Sequence, residues 1–324
     1  MIFNYKYYLE KYPDLRHLNH DEAYSHWLNC GINEGRKCCG EIINIETAIT
    51  VIIHLFDENL FSEFLVYINN VKSVFNLVNV IFTININSIF DEIIYNEDST
   101  FIVLKVENKG VDVYSFIESI KYIRNNNIKT DYILKLHTKV SINEVIELLN
   151  WRKELIEPIT SIDNLYVIQH YFKNIKNIGY IGSQKCVLPK NFDLDFPQNI
   201  EGLNQLCEKF PHLEKNWTDF IGGNIFWISN ETLSTYLTND LIEYLISKFL
   251  DGKPPCNQTD SGIYVEYLCE RLFTGVFCYD KMNILVNEFK GTQRGISKIN
   301  EEIDNSYFYQ PSVFSIYVPK NIIT

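Results

Sequence analysis

Apolar positions along the chain follow two different periods, and the change falls near residue 48. Ahead of it, Tyr5, Tyr8, Leu9 and Tyr12, then Ala23, Trp27 and Leu28, recur at helical spacing, interrupted by Pro13 and closed by Gly31, Gly35 and Gly40. This predicts two short helices and a turn, a small all-α module over residues 1–40. From residue 48 onward the apolar residues gather into short runs rich in β-branched side chains: Ile49–Leu55, Val80–Ile84, Phe101–Val106, Tyr132–Leu136, Ile178–Ile181 and Asn224–Ile228. Helical spacing fills the gaps. One segment, Val113–Arg124, puts Phe116, Ile117, Ile120 and Ile123 on one face, with Asp112 as a candidate N-cap. Two more run over Asn143–Ile156 and Asp260–Phe273, the latter with Ile263, Tyr264, Tyr267 and Leu268 facing inward. Strands alternating with helices predict an α/β domain over residues 48–324, a mostly parallel sheet with helices on both faces.

Composition leaves that picture intact and narrows the partners. Of 324 residues, 46% are hydrophobic and 14% aromatic, enough for a large core, so a disordered chain is excluded. The 41 acidic and 29 basic residues give a formal charge of −12, which repels a polyphosphate backbone, and nucleic acid is not an expected partner. No apolar run reaches the roughly 18 to 20 residues of a membrane-spanning helix, and Met1–Glu10 lacks the basic flank and apolar centre of a cleaved leader. The expectation is a soluble, cytoplasmic protein. Its eight cysteines form no C-x-x-C pair and no zinc spacing, and read as reduced thiols that fill the core; adjacent Cys38 and Cys39 are the one unusual pair. Abundant Ile, Asn, Lys and Tyr fit an AT-rich coding sequence, bacterial or viral.

In open α/β sheets ligands bind beyond the carboxyl ends of the strands, so polar residues there come first. Asn108-Lys109-Gly110-Val111-Asp112 follows the third strand and precedes a helix; Gly110 admits close backbone approach, and the helix start offers N–H groups to an anion. A plain glycine turn with a capping Asp112 explains the same residues. His137-Thr138-Lys139 ends the fourth strand, where a nucleotide-sugar enzyme usually places Asp-x-Asp to hold a metal on a diphosphate. Here Lys139 can meet the diphosphate as a point charge and His137 as a hydrogen-bond donor, with no divalent metal expected and no other cofactor. The competing reading is a solvated strand end. Gly222 and Gly223 precede an aromatic strand in which Trp227 offers a flat face for a sugar, and Asp260 opens a later helix as a general base or, equally, as an N-cap. The literal Asp193-Leu194-Asp195 lies in a proline-bounded stretch and reads as a surface loop. His54, at the end of the first strand, is either a hydrogen-bonded core residue or a nucleotide contact.

The ordered pieces Val51-Ile52-Ile53-His54-Leu55-Phe56, Asn108 to Asp112 with Phe116, Asp131 to Ser141, Trp151-Arg152, Phe220 to Trp227 and Asp260 to Arg271 resemble the rhamnan synthesis protein F family. The string HTK after YILKL is the most specific of them. Ahead of these, YYLEKYPDLR…AYSHWLNCGINEGR resembles an "NPDL…HW…EGR" helical module of bacterial and viral surface-glycan proteins, with Tyr12 in place of Asn. The first resemblance implies a GT-A-like fold and a glycosyltransferase that builds surface polysaccharide, often from activated rhamnose. By position it implies that His54, Asn108, Lys109, Gly110, Asp112, His137 and Lys139 hold a nucleotide diphosphate-sugar donor, that Gly222, Gly223 and Trp227 meet a glycan acceptor, and that Asp260 is the base of an inverting displacement. Two departures, Asn224-Ile225 for Thr-Met and Ser261-Gly262 with Val265 for Gly-Thr and His, bear on acceptor choice. A non-catalytic carbohydrate-binding protein that keeps the fold is the alternative. A nucleotidyltransferase is disfavoured because no glycine-rich phosphate loop is present.

Overall fold

The computed structural model describes residues 5–31, 34–36, 47–138, 146–190, 197–249, 265–286 and 314–317. In the N-terminal stretch, helix α1 (Tyr5–Lys11), a 3-10 turn (Pro13–Leu15), helix α2 (His20–His26) and a π-turn (Trp27–Gly31) surround a small core of Tyr8, Leu15, Ala23 and Trp27. Asn19 and Glu22 form a reciprocal capping box that starts α2. Arg36 reaches back to Asp14 at 3.0 Å and lies 4.8 Å over the Tyr12 ring, so the PDL and EGR pieces of the motif close on each other. That contact is on the surface, where solvent screens it, and the buried aromatics hold the unit together.

The second body begins with β1 (Ala48–His54), α3 (Phe61–Val74), β2 (Leu77–Asn85), α4 (Asp91–Glu97), β3 (Ile102–Val106), α5 (Val111–Asn125) and β4 (Tyr132–His137). It continues through α6 (Ile146–Thr160), α7 (Ile162–Asn174), β5 (Ile178–Ser183), β6 (Val187–Pro189), α8 (Pro197–Lys209), β7 (Asp219–Ile221) and β8 (Phe226–Ser229). Helices α9 (Asn230–Tyr236), α10 (Asn239–Ile246) and α11 (Val265–Arg271), then strands β9 (Met282–Val286) and β10 (Phe314–Tyr317), complete the described residues. Eight strands form one sheet in the order β10-β9-β5-β8-β4-β1-β2-β3, and β6 pairs with β7 beside it.

All six apolar runs are strands, because Val, Ile and Phe in short blocks suit a sheet covered on both faces. The sheet is mixed: β1 lies parallel to β2 and β4, and β2 to β3, whereas β8 runs antiparallel between β4 and β5. Helices α3, α6 and α7 cover one face. On the other, α5 packs across β1, β2 and β3 and meets α11. Pairing register sorts the side chains between these layers. Leu134 of β4 stands beside Trp227 of β8, and Lys135 beside Phe226, so Trp227 and Phe226 enter opposite halves of the core.

Two of the boundaries that differ from the sequence expectation bear on the site. Helix α5 starts at Val111, and its N-cap is Gly110 in the left-handed conformation, not Asp112, whose carboxylate is engaged elsewhere. Strand β8 starts at Phe226, because Asn224 also adopts a left-handed conformation, with φ 57°, and turns the chain before it can pair.

Candidate functional site

Strands β1, β2 and β3 are laid down in one direction and β4 on the other side of β1, so the chain reverses its strand order between β1 and β4. Connections diverge there and leave a crevice beyond the carboxyl ends, the place where open α/β sheets bind ligands. The last residues of those two strands, His54 and His137, are register partners at that crevice, and Thr83 of β2 is the next residue in the same row. His54 Nδ1 lies 3.0 Å from Thr83 Oγ1. Beyond the strand ends, the Thr138 hydroxyl oxygen accepts from the Phe56 and Asp57 N–H groups at 2.9 and 3.0 Å, and Thr138 N–H donates to the His54 carbonyl at 3.0 Å. The two strand ends are therefore laced together before either chain leaves the sheet.

Helix α5 brings a third wall. Gly110 has φ +60°, and a Cβ there would fall 2.7 Å from the Phe249 ring, so both conformation and packing require glycine. Val111 follows with φ 50°, a strained value for a β-branched residue. The turn delivers Asp112 to the sheet, where its Oδ2 accepts from Lys135 Nζ at 2.5 Å and from Asn224 Nδ2 at 2.6 Å and lies 3.6 Å from His137 Nδ1. Lys135 Nζ also donates to the Asn224 carbonyl at 2.8 Å and stands 5.5 and 5.9 Å from the Phe116 and Phe226 ring centroids. At 1% side-chain exposure, this ammonium is held by a carboxylate, a carbonyl and two aromatic faces in place of water. One ion pair thus ties the start of α5, the body of β4 and the turn before β8 into a single frame.

Burial dominates the titration of the groups around that frame. Desolvation pushes the His54 pKa down to about 4 from 6.5, with the Lys135 charge adding to the fall and the Asp112 charge opposing it. The imidazole is neutral at physiological pH. Because the unfolded chain takes up this proton near pH 6.5 and the folded chain does not, folding loses stability as the pH falls from about 6.5 toward 4. That loss is up to about 3 kcal/mol, and urea titrations at pH 7.5, 6 and 5 should show a shallower slope for His54→Gln. On α11, burial, followed by the Asp112 charge, raises the Glu266 carboxyl above its ordinary value. Glu270, one turn on, accepts from the Gly223 N–H at 2.5 Å.

The structure gathers His54, Gly110, Asp112 and His137 from the sequence expectation and separates others. Lys109 pairs with Glu107 at 2.6 Å and lies 4.5 Å over the Tyr114 ring, beside an exposed Asn108. Lys139, Asp260 and the Asp193-Leu194-Asp195 string lie outside the described residues. Trp227 is fully buried: its indole N–H donates to the Ile159 carbonyl at 3.0 Å, and its ring packs on Phe75 and Phe172. It faces the layer of α3, α6 and α7, away from Asp112, and offers no surface to an acceptor. Gly222 and Gly223 are buried as well; a Cβ on Gly222 would collide with the Leu188 side chain, and one on Gly223 would lie 2.7 Å from Leu155, so protein and not sugar takes the space they leave. Arg152, of the Trp151-Arg152 piece, forms a two-armed ion pair with Glu63 at 3.1 and 2.8 Å and fastens α6 to α3.

Sequence reasoning missed Lys135 as a member of the site; Asn224, Glu266 and Glu270 lie in its glycine–aromatic and late helical pieces but were given no role beside Asp112. For Lys135 the signal was present: a lysine between Leu134 and Leu136 in a strand apolar on both faces requires a buried counter-charge. No described helix is long and apolar enough to cross a membrane.

No curated protein matches the chain. The model for rhamnan synthesis protein F matches residues 36–249, a span that begins at Arg36, runs through all of β1 to β8 and carries His54, Asp112, Lys135, His137 and Asn224. With most of its length under that match, the chain belongs to the rhamnan synthesis protein F family, whose membership implies an enzyme of glycosyltransferase type.

Proposed function

We propose that the protein transfers a sugar from a nucleotide diphosphate-sugar to a glycan acceptor in the synthesis of surface polysaccharide or glycoprotein glycans, with rhamnose the sugar to which the family points. One observation carries this reading: His54, Asp112, His137 and Asn224, dispersed along the chain, converge where an open α/β sheet binds its ligand. The first turn of α5, with no capping side chain at Gly110, is the seat for the diphosphate, and His137 and Lys139 complete its polar surround. Asp112 then acts chiefly through Lys135 and Asn224, holding that turn against β4, while neutral His54 supplies a hydrogen-bonding group and no charge.

Transfer requires that charge growing on the departing diphosphate be stabilised and that the acceptor hydroxyl lose its proton. Lys139 and the α5 N-terminus serve the first need without a divalent metal, and Asp260 serves the second in a single inverting displacement. Glu266 is a further carboxyl within the field of Asp112, and burial together with that charge raises it above its ordinary value, which favours its protonated form.

Thermal stabilisation tests the donor site. One class among UDP-, dTDP- and GDP-sugars should raise the melting temperature by several degrees at about a hundred times its dissociation constant. The rise should persist in EDTA, gain nothing from Mn²⁺ and vanish in Lys139→Ala. If no nucleotide sugar moves the transition under any condition, the reading gives way to a non-catalytic carbohydrate-binding protein.

A further inference from the structure

Phe56 is exposed, at 62%, whereas Phe61, Phe64, Phe82 and Phe101 of the same half of the sheet are buried. A single exposed ring needs no explanation by itself. What distinguishes this one is that its backbone is fixed. It is the second residue after β1 at the strand-order reversal; its N–H is held by Thr138 Oγ1 from the end of β4, and the next N–H is held by the same oxygen. The following residue, Asp57, turns its carboxylate back to the Asn59 N–H and amide at 3.1 and 3.0 Å, so the chain is pinned on both sides of the ring. The ring centroid lies 6.4 Å from that of His54. A flat apolar face is thus presented to water, at a set position, on the rim of the crevice that already collects His54 and His137.

We infer that Phe56 is the platform on which the nucleobase of the donor stacks. The inference rests on the nucleotide-sugar reading and deepens it: the polar groups of the crevice suit a diphosphate, and an aromatic face beside them suits a π-system joined to it. Stacking tolerates any base, because each has a π-face, and it strengthens when the platform is held in place beforehand, as the Thr138 hydroxyl holds this one. Phe56 contributes binding and orientation of the donor, not a chemical step.

Calorimetric titration of the whole chain with UDP, dTDP, GDP and inorganic pyrophosphate separates the possibilities. In Phe56→Ala, the nucleoside diphosphate that binds wild type best should lose about tenfold to a hundredfold in affinity, the range of one base–aromatic stack. Pyrophosphate, which has no base, should change less than about twofold, and Phe56→Tyr should retain nucleotide affinity. Phe56→Trp supplies an independent readout: its added emission should be quenched by the nucleoside diphosphate and left alone by pyrophosphate. Since the side chain is exposed, all three variants should melt with wild type. Equal nucleotide affinity in Phe56→Ala and wild type, equal losses for nucleotide and pyrophosphate, or unquenched emission from the Phe56→Trp variant with nucleotide bound would each overturn the stacking role while leaving the donor site standing. Failure of wild type to bind any of the three nucleotides would remove the donor reading and the stacking role with it.

Discussion

Lys135→Met is expected to destabilise the α/β body by about 3 to 5 kcal/mol, since it removes the ammonium from a buried pair and leaves the Asp112 carboxylate without its cation. The side chains are similar in length, so the change is electrostatic more than volumetric. A second substitution separates the two. Asp112→Leu in the same chain removes the stranded charge, and the double variant should recover much of the loss, because an apolar replacement of a buried pair is often neutral or stabilising. Urea denaturation of wild type, both single variants and the double variant gives the coupling directly, and a double variant no more stable than the worse single variant would show that the pair is not the buried frame described. Donor binding, by the thermal shift already described, should not recover with stability. The pair's role in the proposed function is to hold the first turn of α5 and the Asn224 turn in one geometry, which leucine and methionine do not reproduce.

Trp227→Ala should lower stability by about 3 to 5 kcal/mol through the cavity it leaves among Phe75, Phe172 and β4 and the loss of the hydrogen bond to the Ile159 carbonyl. Trp227→Phe keeps most of the volume and should lose roughly 1 to 2 kcal/mol. For an acceptor-stacking residue the pattern would be reversed, with little change in denaturation and a large rise in the acceptor KM. Comparing the two variants in urea, and the folded Trp227→Phe protein in an acceptor titration, decides between core and contact. A wild-type denaturation midpoint in Trp227→Ala would contradict the burial seen here.

Much of this arrangement was legible one segment at a time. The six strands announce themselves because blocks of Ile, Val and Phe suit the pleated, doubly covered surface of a sheet in whichever order the strands are laid. His137 stands out as a site candidate because it directly follows an apolar run, and His54 because it is the polar residue near the end of one; a polar residue there lies at a strand terminus regardless of its neighbours. Gly110 ahead of a helix likewise signals a left-handed turn. Local chemistry dictates local geometry in each case, and the chain alone suffices.

Partnership was not legible. Trp227 and Phe226 are adjacent aromatics in one strand, and no period tells which faces Asp112; the register of β8 against β4 assigns Phe226 to the site and Trp227 to the opposite layer. Asp112 looks like a helix cap by its spacing, yet Gly110 is the cap, and the Asp112 carboxylate goes to Lys135 and Asn224. Those three residues come from a helix start, a strand interior and a turn, and their meeting depends on β8 running antiparallel beside β4 and on α5 crossing β1. By itself, then, the sequence determined which segments are strands and helices, which polar residues end them, and the family. Only the tertiary structure decided which charges are paired, which aromatic is core and which is exposed, since burial and pairing are properties of neighbours, and strand order chooses the neighbours.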